Sequence, residues 1–265
     1  MRKPWSFLIA ASAMSAVFTS CCAQGLTLYA AAGVKSPVEQ MARDFEKSTG
    51  QKVNLVFDTA GAAEQRFLAD GHAAFLVTTQ VRISAAEKNG KLRNGLTEVI
   101  GDTVGGFAAR PGQPKPDIST PEKLKAALLA APRVAFSDPA RGATVGLHFL
   151  KVLDALGIRD QVLNKSVLAA DGLETMHLVL DGQADLGVTQ LSEIVQANPA
   201  ALVGPFPKKF DLSTTYSLWR RADASPIADQ FARLIASTPE RAKLAGYGLR
   251  PPAWAWNGRN AGLKQ

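Results

Sequence analysis

Two short stretches near the start of the chain have the composition of strand-to-helix turns. They are Ala30-Ala31-Ala32-Gly33 and Asp58-Thr59-Ala60-Gly61. Turns without bulky side chains leave the first backbone N–H groups of the following helix accessible, and these donors carry partial positive charge. Such groups suit an anion or another polar ligand. The sequence therefore predicts a small-molecule site at these turns.

Other chemistries have weaker support. His72, His148 and His177 are widely spaced, which disfavours metal ligation, and no HExxH, phosphate-binding loop or GxSxG elbow is present. We therefore expect no metal, no cofactor and no enzymatic activity. An enzyme on the same scaffold would need an acid or base with a perturbed pKa, and its candidates are Asp58, Asp171 and His72.

The N-terminal region has the features of an export signal. Arg2 and Lys3 precede an apolar stretch over 5–18 that is too short to span a bilayer. The sequence predicts a signal peptide over 1–23 and a periplasmic mature protein. Removing the two basic residues lowers the formal net charge from +7 to +5. Basic residues are not clustered with aromatic ones, so we expect no nucleic-acid binding.

The two cysteines are adjacent and lie at the predicted cleavage site. Cleavage after Ala23 would remove both Cys21 and Cys22, so we expect no disulfide and no cysteine-ligated metal. The alternative is a lipoprotein that is acylated at Cys21 or Cys22.

Strands and helices alternate in the first part of the predicted mature chain, which indicates a parallel sheet flanked by helices. Ser36-Pro37-Val38-Glu39 fits a capping box with proline at the first helical position, and Gly50 ends that helix. The predicted elements are a strand over 26–29, a helix from 36, a strand over 52–57, a helix over 62–70 and a strand over 74–77 that ends in Thr78 and Thr79.

A proline-rich segment over 110–121 interrupts this pattern, which then starts again. The predicted elements are a helix over 121–130, a strand over 133–136, a helix over 144–156, a strand over 166–170, a helix over 173–181, a strand over 186–189, a strand over 214–219 and a helix over 227–236.

A second segment rich in proline and glycine, over 199–207, implies that the chain crosses twice between two lobes. We expect lobe 1 to comprise 24–107 and 206–265, and lobe 2 to comprise 108–205. Two lobes joined by two segments can hinge, and the cleft between them would hold a ligand.

Several motifs occur in the order typical of one known family. They are Leu28-Tyr29-Ala30-Ala31-Ala32-Gly33, the strand and turn over 56–61, Ser137-Asp138-Pro139, Ala169-Ala170-Asp171-Gly172 and Asp185-Leu186-Gly187-Val188. With this order, the chain resembles the periplasmic molybdate-binding proteins. The resemblance implies a two-lobed α/β fold of the periplasmic-binding-protein type II class. Each lobe would have a mostly parallel sheet flanked by helices, and two crossover segments would form the hinge.

The resemblance also implies a ligand site. Family members hold molybdate with two serine hydroxyls, backbone N–H groups from two turns of the second lobe, and a tyrosine hydroxyl. In this sequence the serine positions carry Gly33 and Ala60, the backbone donors belong to Thr144 and Gly172, and the tyrosine position carries Gln190. The three side-chain hydroxyls are absent, and the small residues vacate volume. We therefore expect a larger pocket that binds a different ligand.

Other polar side chains near the predicted turns would then meet the ligand. Arg141 would hold a carboxylate in a bidentate fork. Neutral hydrogen bonds would come from Thr59, Thr78, Thr79, Thr144 and Gln190.

The function implied is that of a monomeric solute-binding protein. It would capture a small organic carboxylate or an oxyanion and deliver it to an ABC-type permease in the inner membrane. The alternatives are a receptor for molybdate or tungstate itself, and a ligand-sensing receptor that reports to a signalling partner.

Overall fold

The computed structural model describes residues 26–250, apart from the side chains of residues 238, 239 and 241. The predicted signal peptide, both cysteines and the chain from residue 251 onward lie outside the described residues. Within the described range, no helix is long and apolar enough to cross a membrane.

The strands of the described range form one continuous hydrogen-bonded array. They are β1 (Leu26–Ala31), β2 (Val53–Asp58), β3 (Phe75–Thr79), β4 (Gly95–Ala109), β5 (Val134–Ser137), β6 (Ser166–Ala169), β7 (Leu186–Gln190), β8 (Leu202–Pro205) and β9 (Ser213–Arg221).

Helices cover both faces of this array. They are α1 (Lys35–Thr49), α2 (Ala60–Ala69), α3 (Gln80–Lys88), α4 (Pro121–Ala130), α5 (Thr144–Leu156), α6 (Arg159–Leu163), α7 (Gly172–Leu180), α8 (Leu191–Ala197), α9 (Pro226–Ala236) and α10 (Thr238–Lys243).

The array divides into two parts along strand β4. From Gly95 to Val104 this strand pairs with β9, and from Gly105 to Ala109 it pairs with β7. We use the name first lobe for β1, β2, β3, β9 and the first part of β4 with their helices. The second lobe comprises β5, β6, β7, β8 and the last part of β4 with theirs. The chain crosses between the lobes within β4 and again between β8 and β9.

Each lobe has a mostly parallel sheet with one antiparallel strand. In the first lobe β1 pairs in parallel with β2 and β3, and β9 runs antiparallel between β3 and β4. In the second lobe β5 pairs in parallel with β6 and β7, and β4 runs antiparallel between β7 and β8. Because strands in one direction end at the same edge of a sheet, the turns that follow them meet at that edge.

Each lobe has its own apolar core. In the first, helix α1 contributes Val38, Met41 and Phe45, and the ring of Phe45 packs against that of Phe231 from α9. The spacing of these α1 residues places them on one helix face, as the sequence predicted. In the second lobe the rings of Phe107, Phe136 and Phe149 pack together. Separate cores allow each lobe to keep its shape if the two move relative to each other.

The predicted capping box at residues 36–39 is wrong. Helix α1 begins at Lys35, after a short 3₁₀ turn over Ala32–Val34, so Ser36 lies inside the helix. The backbone N–H of Ser36 instead donates to Gln196 Oε1 at 2.8 Å. The acceptor for this N–H at the helix start is thus 160 residues away in sequence, and no local sequence pattern predicts such a contact.

The bounds predicted for α4 and α5 are confirmed, whereas strand β4 was missed. This strand contains several glycines, which are depleted in strands, so its composition gave no strand signal. Glycine also permits close approach of neighbouring chains. A side chain at Gly106 would overlap Leu191 and the backbone of β8. Close packing in the tertiary structure therefore accounts for a composition that local propensity disfavours.

Candidate functional site

A small cavity lies between the two lobes. It brings together six of the residues that the sequence analysis placed at the ligand site, namely Gly33, Thr59, Ala60, Thr144, Gly172 and Gln190. Its free volume is about 20 Å³, which is room for about one water molecule. The lobes are therefore closed around this space.

Three helices from both lobes begin at the cavity. Helix α2 of the first lobe starts at Ala60, and helices α5 and α7 of the second lobe start at Thr144 and Gly172. The first N–H groups of a helix lack partners within it and carry partial positive charge. The cavity thus combines backbone donors from both lobes, and the described residues that line it include no lysine and no arginine.

The predicted residues Thr78, Thr79 and Arg141 are not among those that line the cavity. The Thr78 hydroxyl donates to the backbone oxygen of Ala60 at 2.9 Å, so it supports the start of α2 from behind. Thr79 is the N-cap of α3 and lines a neighbouring groove. Arg141 donates from Nε to the Ala170 backbone oxygen at 3.0 Å.

The second partner of Arg141 is the carboxylate of Asp58, with Nη2 2.6 Å from Oδ1. The predicted fork for a ligand carboxylate is therefore engaged by a carboxylate of the protein itself. Asp58 Oδ2 also accepts from Arg66 Nε at 3.0 Å. The buried Asp58 is thus compensated by two guanidinium groups, one from each lobe.

Backbone contacts close the cleft beside this ion pair. The N–H of Gly61 donates to Gly142 O at 3.3 Å, and the Thr59 hydroxyl donates to Arg141 O. A side chain at Gly61 would overlap the backbone of Gly142, so the small residues predicted for this turn permit the lobes to touch.

The expected extra volume at Gly33 is not present. The ring and hydroxyl of Tyr216, from β9, occupy the space that a side chain at Gly33 would fill. Tyr216 is buried and lines the cavity. Burial raises the pKa of its hydroxyl well above the ordinary value, and the nearby charge of Glu193 adds to this. A tyrosine hydroxyl is therefore present at the site, contrary to the expectation that the replacement of the family's tyrosine by Gln190 leaves none.

Glu193, near the start of α8, is a buried carboxyl group that lines the cavity. Its Oε2 accepts hydrogen bonds from the Thr189 hydroxyl and from the Gln190 N–H, the latter at 3.1 Å. Burial raises the pKa of Glu193 to about 7, and these two hydrogen bonds oppose the rise. The first residue of α7 is Gly172, where a side chain would overlap this carboxyl group. Glycine at this position lets the helix N-terminus and the carboxyl group share the cavity.

Gln190 is 2% exposed and donates from Nε2 to the Thr214 hydroxyl at 2.9 Å. Its Oε1 has no hydrogen-bond partner within the described chain. Exchanging the amide oxygen and nitrogen lets Oε1 accept from Thr214 and leaves Nε2 free as a donor. The Gln190 side chain also forms a capping box with Glu193 at the start of α8, and a hydrogen bond from it opposes the rise in the pKa of Tyr216.

The predicted acid and base candidates have other partners or lie at the surface. Asp171 caps α7 by accepting from the Glu174 N–H at 2.9 Å. His72 is exposed, and His148 bonds to the Phe210 backbone oxygen at 2.8 Å. Within residues 26–250, no group of three or more His, Cys, Asp and Glu residues is placed to hold a metal.

A family model described as "Bacterial extracellular solute-binding protein" matches residues 26–250. The chain belongs to this family. A solute-binding protein of this kind works outside the cytoplasm, which agrees with the predicted periplasmic location. The signal peptide over 1–23 and the lobe boundaries at 107/108 and 205/206 remain predictions.

Known relatives agree with this assignment. An aconitate isomerase of Pseudomonas sp. is 25% identical over 237 residues, which cover 85% of this chain and 87% of that protein. Two solved structures share the fold. The periplasmic molybdate-binding protein of Azotobacter vinelandii superposes with a TM-score of 0.67 at 21% identity, over 86% of this chain and 99% of that one. The sulfate-binding protein SubI of Mycobacterium tuberculosis H37Rv superposes with a TM-score of 0.66 at 17% identity, over 89% of this chain and 91% of that one. They confirm the predicted two-lobed type II fold.

Several cavity residues of this solute-binding protein were missed by sequence reasoning, and Glu193 and Tyr216 are the two with ionisable side chains. Glu193 lies three residues after Gln190, the spacing of a capping box, which would have placed it at a helix start beside the site. Tyr216 lies inside a strand and gave no comparable signal. Ser137, at the end of β5, also lines the cavity and belongs to a motif that carried the family resemblance.

Proposed function

We propose that this solute-binding protein captures a small anion, either an oxyanion or a small organic carboxylate, in the cavity between its lobes. The observation that carries the proposal is the convergence of the N-termini of α2, α5 and α7 on one enclosed space. Fixed backbone donors bind an anion well in a site that excludes water, because they need no reorganisation when the anion arrives.

Lobe closure is the mechanism that we propose for capture. The free volume of about 20 Å³ admits about one water molecule, so the lobes must separate for a ligand to enter. An anion that contacts α2 in the first lobe and α5 or α7 in the second stabilises the closed form relative to the open form. The hinge in this proposal is the pair of crossover segments in β4 and between β8 and β9.

The relatives support this choice of ligand class. The names of the two structural relatives identify them as binding molybdate and sulfate, and that of the curated relative identifies it as acting on aconitate. All three ligands are small anions. The enclosed volume favours the smaller members of the class, because a tricarboxylate would need wider separation of the lobes.

A thermal-shift screen tests the proposal. Molybdate, tungstate, sulfate, phosphate and trans-aconitate would each be added to the mature protein, and a ligand present at about 100 times its Kd stabilises the folded state by about 2.7 kcal/mol. We expect at least one of these anions to raise the Tm and neutral solutes of similar size to have no effect. A flat response to every anion would contradict the proposal.

A pair of glycine variants links binding to the cavity. In Gly172→Ala the added methyl group would overlap the Glu193 carboxyl group and the Thr189 hydroxyl, so we expect the anion-induced shift to be lost. Gly71→Ala is the matched control, because nothing lies near the added methyl group there. It should keep the shift of the wild-type protein.

A second candidate function is isomerisation of an organic acid. It is favoured by the relative named aconitate isomerase and by the buried Glu193 carboxyl group beside the helix N-termini. An isomerisation by proton transfer needs one group that removes a proton and returns it, and a carboxyl group with a pKa near 7 suits that role. Incubation with trans-aconitate followed by proton NMR would reveal turnover. An unchanged spectrum leaves binding as the function.

Delivery to an ABC-type permease by a periplasmic monomer completes the proposal. Permease ATPase activity in proteoliposomes should rise when the loaded protein is added. The unloaded protein should raise it less, because the permease recognises the closed form. Stimulation of a sensor kinase instead would support the signalling alternative, and sedimentation would test the monomeric state.

A further inference from the structure

We propose that Glu193 contacts the bound anion as a neutral carboxylic acid that donates a hydrogen bond, so that capture of each anion is accompanied by one proton. The inference rests on the proposed function, because it concerns the same cavity. In this proposal the protonation state of Glu193 determines whether a fully ionised anion can bind.

The first observation is the way in which the carboxyl group is hydrogen-bonded. Both donors that reach it, the Thr189 hydroxyl and the Gln190 N–H, bond to the same oxygen, Oε2. The other oxygen, Oε1, takes part in neither bond. A neutral carboxylic acid has one oxygen that only accepts and one that carries a proton to donate. The observed pattern fits Oε2 in the first role and leaves Oε1–H as a donor for a ligand.

The second observation is the charge around the cavity. The groups that face Glu193 from its neighbours are Thr189 of β7, Tyr216 of β9, and the start of α7 with Gly172 and its cap Asp171. The charged member of this set, Asp171, has the same sign as an ionised Glu193. The described lining residues include no lysine or arginine that would offset a carboxylate.

An anion placed beside an ionised Glu193 would therefore meet strong repulsion. Two like charges about 4 Å apart repel far more strongly in an enclosed site than in water. Protonation removes that repulsion and turns the same group into a donor. Burial raises the pKa of Glu193 to about 7, so the proton is available near neutral pH.

Calorimetry of the wild-type protein tests the proposal. Sulfate, molybdate, trans-aconitate and phosphate would be titrated between about pH 6 and about pH 9 in two buffers that differ in ionisation enthalpy. For the fully ionised anions that bind, we expect the affinity to fall about tenfold per pH unit above about pH 7, with uptake of about one proton.

Two outcomes would overturn the inference while leaving the proposed function intact. One is anion binding with an affinity that does not depend on pH. The other is that phosphate binds, the other anions do not, and the affinity for phosphate does not fall above about pH 8. An ionised Glu193 would in that case accept a hydrogen bond from the proton that phosphate carries, and would not act as a donor. Failure of every anion to bind at every pH would overturn the proposed function as well.

Glu193→Gln supplies a variant that keeps the shape of the side chain. An amide retains an oxygen to accept from Thr189 and Gln190 and an N–H₂ group to donate to the anion. We expect this variant to bind with a pH-independent affinity that exceeds the wild-type affinity at about pH 8. The control Glu174→Gln makes the same change at an exposed position of α7 and should keep the wild-type pH dependence. If the first variant does not fold, proton uptake by the wild-type protein decides the question by itself.

Discussion

Arg141 of the second lobe and Asp58 of the first lobe form an ion pair, with Nη2 2.6 Å from Oδ1. The Asp58 side chain is 5% exposed and that of Arg141 is 39% exposed. The pair joins the lobes beside the cavity, and neither residue is among those that line it. Arg141 therefore acts on the closed form and not on the ligand directly.

We expect Arg141→Met and Asp58→Asn to show coupled effects on stability. Arg141→Met leaves Asp58 with Arg66 as its remaining guanidinium partner, and Asp58→Asn removes the carboxylate from Arg141. A double-mutant cycle by urea denaturation should therefore give a coupling of about 1–3 kcal/mol. The exposed pair Arg159–Asp154, at 2.7 Å, is a matched control whose coupling should stay below about 1 kcal/mol. Strictly additive effects at Arg141 and Asp58 would show that the pair does not hold the lobes together.

Gln196 of α8 makes a second connection between the lobes, since it accepts from the Ser36 N–H at 2.8 Å and donates to Gly33 O at 2.9 Å. Gln196→Ala should lower the free energy of unfolding by about 1–2 kcal/mol, because it leaves a backbone donor and a backbone acceptor without their partner. Gln196→Glu can accept from the Ser36 N–H but cannot donate to Gly33 O. Its free energy of unfolding should therefore lie between those of the wild-type protein and Gln196→Ala. A change at an exposed position of α1, Lys47→Ala, should have an effect of at most about 0.5 kcal/mol. Equal stability of Gln196→Ala and the wild-type protein would contradict this role.

The Tyr216 hydroxyl should contribute to anion binding. Tyr216→Phe keeps the ring that packs against Gly33 and removes the hydroxyl from the cavity, so the affinity should fall about tenfold with little change in Tm. Tyr29→Phe removes a hydroxyl that donates to Asp70 at 3.0 Å, outside the cavity lining. This control should bind the anion as the wild-type protein does. An unchanged affinity in Tyr216→Phe would restrict Tyr216 to filling space.

The raised pKa of Glu193 predicts a pH dependence of stability. The pKa is 4.5 in an exposed chain and about 7 in the folded protein, so between these values the folded state holds a proton that the unfolded state lacks. The contribution of this group is therefore fully present below about pH 4.5 and is lost as pH rises to about 7, with a slope of at most about 1.4 kcal/mol per pH unit.

Urea denaturation across this range would measure the effect. The stability of the wild-type protein relative to Glu193→Gln should decrease with rising pH and become constant above about pH 7. Glu174→Gln should follow the wild-type curve. A difference between wild type and Glu193→Gln that stays constant at all pH values would show that folding does not raise the pKa of Glu193.

Local patterns in the sequence predicted a large part of the fold. The alternation of apolar strands and amphipathic helices gave α4 and α5 with the bounds that the structure has, because the two periodicities are properties of neighbouring residues. The same patterns missed β4. Its glycines are explained by side chains and backbone from distant parts of the sequence, which pack so closely against β4 that an added side chain would overlap them.

The backbone positions of the candidate site were predicted more completely than its side chains, although Thr59 and Gln190 were also placed there. Gly33, Ala60, Thr144 and Gly172 were placed at strand-end turns, and the structure brings all four to one cavity. Their role in binding remains a prediction. The direction of a long side chain depends on partners that are distant in sequence.

The sequence by itself determined that small-residue turns would follow parallel strands and leave helix N-termini accessible, because turn geometry and helix starts are set by residues close together in the chain. The tertiary structure alone decided that Arg141 pairs with Asp58, 83 residues away, and that Glu193 and Tyr216 face the cavity. Such contacts depend on how the two lobes pack against each other, and a pattern of neighbouring residues carries no information about that packing.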